Sequence, residues 1–308
     1  MALLFSVLEQ GLIYSIMALG MYITYKILDF PDMTVDGSFP MGSAIACILI
    51  IKGTNPVLTL PLCFLAGVLA GLLTGLIHVK LKVRDLLSGI IMMTALYSVN
   101  LRIAGRANLP IYDKNTIFEN SFVNNIFPEE LEAVTTLVLI AAISVLTKCL
   151  LDWYLDTKSG FLLRAVGDND AIVTSLGVDK GLVKITGLSI ANGLVALSGC
   201  IFAQQQRFFD ISVGTGTAVI GLASVIIGTS LYQRKNLGKV TGKGVTAGVL
   251  LGAVVYKGCV AAAVSMGLSA SDLKLITAAL FLAILVLGGE KKRGGKNHAG
   301  IKRDYQAL

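Results

Sequence analysis

The chain has 308 residues, of which 55% are hydrophobic and 15% charged, with a mean hydropathy of +0.76 and a net charge of +7. Soluble domains are roughly 25% charged, so this composition excludes a water-clothed globule and makes lipid the solvent for most of the surface. The excess of Lys and Arg has the loop distribution that orients membrane proteins, which removes nucleic-acid binding as its explanation.

Crossing the roughly 30 Å hydrocarbon core takes about 20 mostly apolar residues. The start, MALLFSVLEQ, has neither a basic segment nor a small-residue cleavage site, and reads as the beginning of a first span. Apolar runs at 3–23, 39–51, 57–79, 86–103, 131–151, 182–202, 215–231, 245–263 and 273–287 predict an all-α, polytopic bundle of about nine spans. One membrane domain is expected over 1–290, with a basic cytoplasmic tail at 291–308.

Lys80, Lys82 and Arg84 lie in the 78–85 loop, Arg234, Lys235, Lys239 and Lys243 in the 233–243 loop, and six further cations in the tail. Placing all three inside gives an external N-terminus and a cytoplasmic C-terminus. The same threading puts 152–181 inside and 105–130 outside.

Two spans are unusual. The short run 39–51 follows DFPDMTVDGSFPMG, and the run 215–231 follows DISVGTGT; both openings carry helix-start residues. LAGVLAGLLTGL resembles VTAGVLLGAVVY, and VRDLLSGIIMM resembles ASDLKLITAAL. The first copy starts inside and the second outside, the pattern of an inverted repeat with broken helices; chance likeness between Gly/Ala/Leu-rich spans is the alternative.

Candidate site residues follow in chain order. Asp32, Met33, Thr34, Asp36, Gly37 and Ser38 open the second span. A carboxylate in the bilayer is usually paired or functional, so Asp36 and Ser38 read either as helix caps or as a solute site, while Asp29 and Asp32 are expected in an interfacial turn. Thr94, Tyr97 and Ser98 share one helical face, which lines a pathway or hydrogen-bonds a neighbouring helix; Asn100 and Arg102 follow on the same span. The loop SGFLLRAVGDNDAIVTSLGVDKGLVK, 159–184, mixes apolar and charged residues. It predicts one or two short amphipathic helices at the inner surface, resting on lipid or presenting Arg164 and Asp168 to a partner. Gly167 allows a tight bend or close backbone approach, or simply ends a helix. Gln204, Gln205, Gln206 and Arg207 form an outer docking surface or a solvated loop, and Lys257 and Asp272 read as surface charges. Tyr97, Met33 and Phe39 could suit an aromatic solute.

No enzyme chemistry is visible. The two histidines and five scattered cysteines lack metal-site spacing, so no metal is expected and the cysteines read as packing residues. GKVTGKG at 238–244 has the wrong spacing for a phosphate loop. Energy must come from another chain or an ion gradient.

RAVGDNDAIVTSLGV, the span ending LVALSGCIFA, the run ASVIIGTSL and the DMTVDGS opening resemble permeases of ABC importers of the branched-chain amino acid and ribose class. DFPDMTVDGSFPMG together with the inner loop is most similar to a bacterial branch linked to tryptophan or tyrosine uptake. The resemblance runs from about residue 11 to 289. It implies a non-catalytic subunit of the bacterial inner membrane, needing no cofactor, that pairs with a second copy. It also implies docking to two ATPase subunits and a substrate-binding lipoprotein or periplasmic protein. Loop 157–181 would be the coupling segment, with Arg164, Gly167, Asp168 and Asn169 at the ATPase contact. An ion-coupled secondary transporter of a small polar solute is the alternative; the scarcity of embedded acidic residues beyond Asp32 and Asp36 weighs against it.

Overall fold

A computed structural model of the chain describes residues 2–119, 132–235 and 243–265, with further helical residues at 275, 277–279 and 281–282. Helix α1 (Ala2–Met21) runs on into a π-helical turn, Tyr22–Ile27. The chain then reverses, with Asp29 at φ +51, into α2 (Val35–Ile51). This helix starts earlier than the apolar run suggested, because its first turn is polar. Pro40 inside it leaves the Asp36 carbonyl without its helical donor.

Asn55 caps α3 (Pro56–Lys80), accepting from Val57 N at 3.0 Å, with Pro56 pre-set at the first helical position. Helix α4 (Asp85–Ala104) ends at left-handed Gly105. Strand β1 (Asn108–Pro110) leads on to α5 (Glu132–Leu155). Two short helices follow, α6 (Lys158–Asp168) and α7 (Asp170–Ser175), then α8 (Lys180–Gln206). Strand β2 (Phe208–Asp210) pairs antiparallel with β1, and a 3-10 turn, Ile211–Gly214, leads into α9 (Thr217–Lys235) and α10 (Lys243–Ser265).

Among the described residues, seven helices are long and apolar enough to cross a bilayer, and Val35–Ile51 is a shorter apolar one. The expected ninth segment, 273–287, lies largely outside the described residues, and the basic tail lies wholly outside them.

Lipid tails are as apolar as leucine, so helices in a bilayer associate through close packing of small residues. Helix α8 is the central post. Gly67, Gly71 and Gly75 of α3 press on it: a Cβ at Gly67 would overlap the Asn192 carbonyl, and one at Gly71 the Leu188 carbonyl. Gly42 of α2 meets the Ala196 carbonyl, and Gly199 of α8 meets the Phe39 carbonyl. The Ser43 hydroxyl donates to Gly199 O at 2.7 Å across the same seam. Backbone cannot swing aside as a side-chain tip can. Gly71→Val is therefore expected to cost at least about 1–3 kcal/mol, read as lost monodisperse protein after detergent extraction; normal yield and melting would contradict this seam.

The packing also carries the exchange expected of an inverted repeat. Helix α3 lies along α8 while α10 lies along α1; α2 packs on α3 while α9 packs on α10, through Gly228, Gly248 and Gly252. Helices α1 and α8 run in opposite senses. Glu9 near the start of α1 accepts from Gln205 at the end of α8, at 2.9 Å.

One end of the bundle gathers the 78–85 turn and the start of α8 around one pocket, and Thr246 at the start of α10 donates to Asp152 of α5 at 2.7 Å. The other end holds the β1–β2 clasp. The 78–85 turn and the 152–181 segment thus share one end, and 105–119 lies at the other; most of the 233–243 loop lies outside the described residues.

Candidate functional site

A cavity of about 550 Å³ lies where α2, α4 and the segment before α9 meet. The reverse turn and α2 contribute Met33, Asp36, Gly37 and Pro40; α4 contributes Met93, Thr94, Tyr97, Ser98 and Asn100. Ile211, Ser212 and Thr215 close the third side. The structure therefore brings seven of the candidate residues together: Met33, Asp36, Gly37, Asn100, Thr94, Tyr97 and Ser98. Their i, i+3, i+4 spacing puts the last three on the cavity face of α4.

Asp36 does not cap its own helix, as the sequence suggested. Its Oδ1 accepts from Ala218 N at 2.7 Å and from the Thr217 hydroxyl at 2.9 Å, and its Oδ2 accepts from Gly216 N at 3.0 Å. It caps α9, a helix distant in sequence, where a carboxylate also meets the positive end of the helix dipole. Gly216, at φ +89, makes the turn that aims these N–H groups at it. Gly214 packs on the Asp36 carbonyl that Pro40 left open. The starts of α2 and α9 are thereby locked together beside the cavity.

Asp32, Thr34 and Ser38 do not line this cavity. Asp32 is 2% exposed, which corrects its expected place in an interfacial turn. It accepts from Thr34 N and from Asn192 Nδ2, both at 2.8 Å. The Ser38 hydroxyl donates to Asn192 Oδ1 at 2.7 Å, and the Thr34 and Thr74 hydroxyls pair at 2.9 Å. This network fastens the second span to α3 and α8. Asn192 was missed in the sequence; an amide in the middle of the apolar part of α8 was its only signal. Asn100, also buried, donates from Nδ2 to Gly37 O at 3.0 Å and holds α4 against α2.

Other expectations are corrected. Phe39 faces away from the cavity, fully buried and stacked on Tyr14 with ring centroids 5.6 Å apart. Lys257 is no surface charge: its Nζ lies 3.9 Å from the Tyr14 ring centroid, a cation–π contact. Asp272 lies outside the described residues. Gln204 is not in a solvated loop but buried, accepting from Ile117 N at 3.0 Å and donating to the Thr59 hydroxyl at 2.9 Å. Arg207 donates to Tyr112 O and pairs with Glu119, tying the clasp to α8. Cys47, Cys63 and Cys200 are buried among α2, α3 and α8, whereas Cys149 and Cys259 are exposed. Among the described residues no group of His, Cys, Asp or Glu could hold a metal ion.

The elbow 157–181 forms two short helices at the basic end. Leu163 and Val166 are the buried face of α6, while Asp168 and Asn169 are exposed at its end. Arg164 lies over the Phe161 ring at 5.9 Å. Gly167 is not among the residues at positive φ; close approach is what requires glycine there, because a Cβ would overlap the Ile27 carbonyl oxygen. Ile27 ends the π-helical turn, and π turns recur at functional positions. Five residues later the chain enters the Asp32–Asp36 segment: elbow, π turn and cavity are consecutive parts.

A lipid-embedded bundle with a cavity between two locked helix starts, and an amphipathic elbow beneath them, is the architecture of a permease. The chain belongs to the family described as the branched-chain amino acid transport system permease component, whose model matches residues 3–287. It is 44% identical over 283 residues to a tyrosine transport system permease protein of Clostridioides difficile, covering 92% of this chain and 90% of that one. It is 25% identical to the ribose import permease protein RbsC of Escherichia coli K12 over 94% of this chain and 86% of that one. A probable branched-chain amino acid transport permease protein, LivH, of Methanocaldococcus jannaschii is 25% identical over 70% of each chain. No solved structure matches. The chain is thus a multi-pass permease component of an ABC-type transport system, in a family of transport subunits.

Proposed function

We propose that this chain forms the inward pathway for an aromatic amino acid and is driven by separate ATPase subunits docked on the 157–181 elbow. In this reading two copies pair in the plasma membrane of a bacterium. A binding protein delivers solute at the clasp end, and Arg164, Gly167, Asp168 and Asn169 meet the ATPase. The carrying observation is the packing of Gly167 on Ile27, which joins the elbow to the turn that leads into the cavity. Met33, Asp36, Thr94, Tyr97 and Ser98 are the pathway contacts, with Asp32, Thr34 and Ser38 as positioning residues behind them.

The solute class is supported by the printed name of the 44% identical relative and by the cavity wall. Met33, Pro40, Met93 and Tyr97 offer an apolar, partly aromatic surface, and no Lys, Arg or His is among the lining residues. That wall suits an apolar ring, and the hydroxyls of Thr94, Ser98, Ser212 and Thr215 beside it suit the polar groups of an amino acid. Both oxygens of Asp32 and both of Asp36 accept from N–H or O–H donors of the protein, which favours ATP drive over an ion relay at these two groups.

The solute assignment is tested by competition for uptake of labelled tyrosine in cells expressing the complete system. Unlabelled tyrosine and tryptophan are expected to compete at low concentration, and leucine and ribose are not. Equal competition by leucine or ribose would overturn the aromatic assignment.

A further inference from the structure

A second pocket, of about 430 Å³, opens at the basic end between the α3–α4 turn and the start of α8. Lys82, Arg84, Lys180 and Lys184 line it, and Asp179 is the one carboxylate among its lining residues. The Asp179 carboxylate is engaged, accepting from Gly181 N at 2.8 Å. Lys180 and Lys184 also interact within the protein. Lys82 and Arg84 have no ion-pair partner among the described residues. The nearby Asp85 is bound to His78 at 3.2 Å. The pocket therefore presents a surplus of positive charge with its own acids already engaged.

Its rim is apolar. Leu81 is 71% exposed and Leu182 60% exposed. From that rim an outward stripe climbs α3 through Leu73, Leu69, Leu65 and Leu62 at helical spacing, each 45–61% exposed. At 1.5 Å per residue, Leu69 stands about 16 Å from Lys80, which is about the depth of one leaflet. Charge at the membrane surface continuous with an apolar track one leaflet deep is the chemistry of a phospholipid, with phosphate in the pocket and acyl chain on the leucines. An acidic protein surface would satisfy the cations but would make no use of the leucine track beside them.

We propose that this pocket binds the phosphate headgroup of an anionic phospholipid of the inner leaflet, held by Lys82 and Arg84. Basic pockets between spanning helices on the cytoplasmic side take such headgroups. The proposal does not depend on the transported solute or on the ATPase contact, so it can fail or hold separately from them.

The test uses delipidated full-length protein in detergent, titrated with phosphatidylglycerol or phosphatidylcholine of the same acyl chains and followed by native mass spectrometry. The wild type is expected to retain phosphatidylglycerol preferentially. Lys82→Gly/Arg84→Gln should lower its affinity about thirtyfold while leaving phosphatidylcholine unchanged, because each surface cation is worth about 1 kcal/mol. Lys82 sits at φ +54, so glycine there removes the charge and relieves the backbone together, and the variant should fold. Lys82→Arg should keep the preference. No preference in the wild type, or an undiminished one in the double variant, would overturn the proposal. Displacement of the lipid by millimolar inorganic phosphate would assign the pocket to a soluble anion and also overturn it. So would an unchanged lipid preference combined with lost ATPase assembly in the double variant, which would give this face to the motor subunit.

Discussion

Gly167→Ala is expected to cut ATP-driven uptake about tenfold or more, within the range that couplings of 1–3 kcal/mol produce, while the protein still inserts and still purifies with its ATPase. The added methyl overlaps the Ile27 carbonyl oxygen, and neither atom can rotate away. Helix α6 must then back off from the π-helical turn. Packed elements respond to such a wedge by changing arrangement rather than by stretching. Alanine is the better helix former by about 1 kcal/mol, so α6 itself gains stability and a loss cannot be blamed on its unfolding. The diagnostic readout is ATP hydrolysis by the reconstituted complex: it should continue but lose stimulation by the loaded binding protein. Full stimulation and uptake in Gly167→Ala would show that this contact transmits nothing.

Asp36→Asn is expected to abolish uptake and to lower the melting temperature. Two carboxylate oxygens accept from Gly216 N, Ala218 N and the Thr217 hydroxyl. An amide keeps one acceptor and turns its NH2 toward a donor, leaving a partly buried N–H or O–H unpaired at about 1–3 kcal/mol. Loss of charge at the start of α9 adds about 0.3–1 kcal/mol. Together these amount to several degrees in Tm for a protein of this size, at about 2–4 °C per kcal/mol. Asp32→Asn separates position from function. Asp32 is buried behind the cavity and accepts from Thr34 N and Asn192. Its loss should lower Tm while leaving the order of solute competition unchanged; an altered order would make Asp32 a pathway residue.

Much of the fold was legible because it follows from one-dimensional quantities. Apolar length located the helices. The spacing of Thr94, Tyr97 and Ser98 placed them on one face, and that face lines the cavity. The partners of polar groups were not legible, since they depend on which helices touch. Asp36 looked like a local cap because it opens the DGS of a helix start, but its donors lie some 180 residues away. Asp32 looked interfacial because charged turns usually are, yet Asn192 of α8 reaches across to it. Lys257 looked exposed for the same reason and lies over Tyr14. Gly167 was suggestive by type alone; the Ile27 carbonyl supplies the reason.

The most direct measurement of the central claim is tyrosine uptake by sealed vesicles containing this chain, its ATPase partner and the binding protein. ATP and ionophores are varied independently. Uptake is expected to follow ATP hydrolysis, to vanish when the ATPase subunit is omitted, and to persist when proton and sodium gradients are collapsed. Accumulation that continues without the ATPase and stops with the ionophores would contradict an elbow that hands force from a separate motor to the cavity.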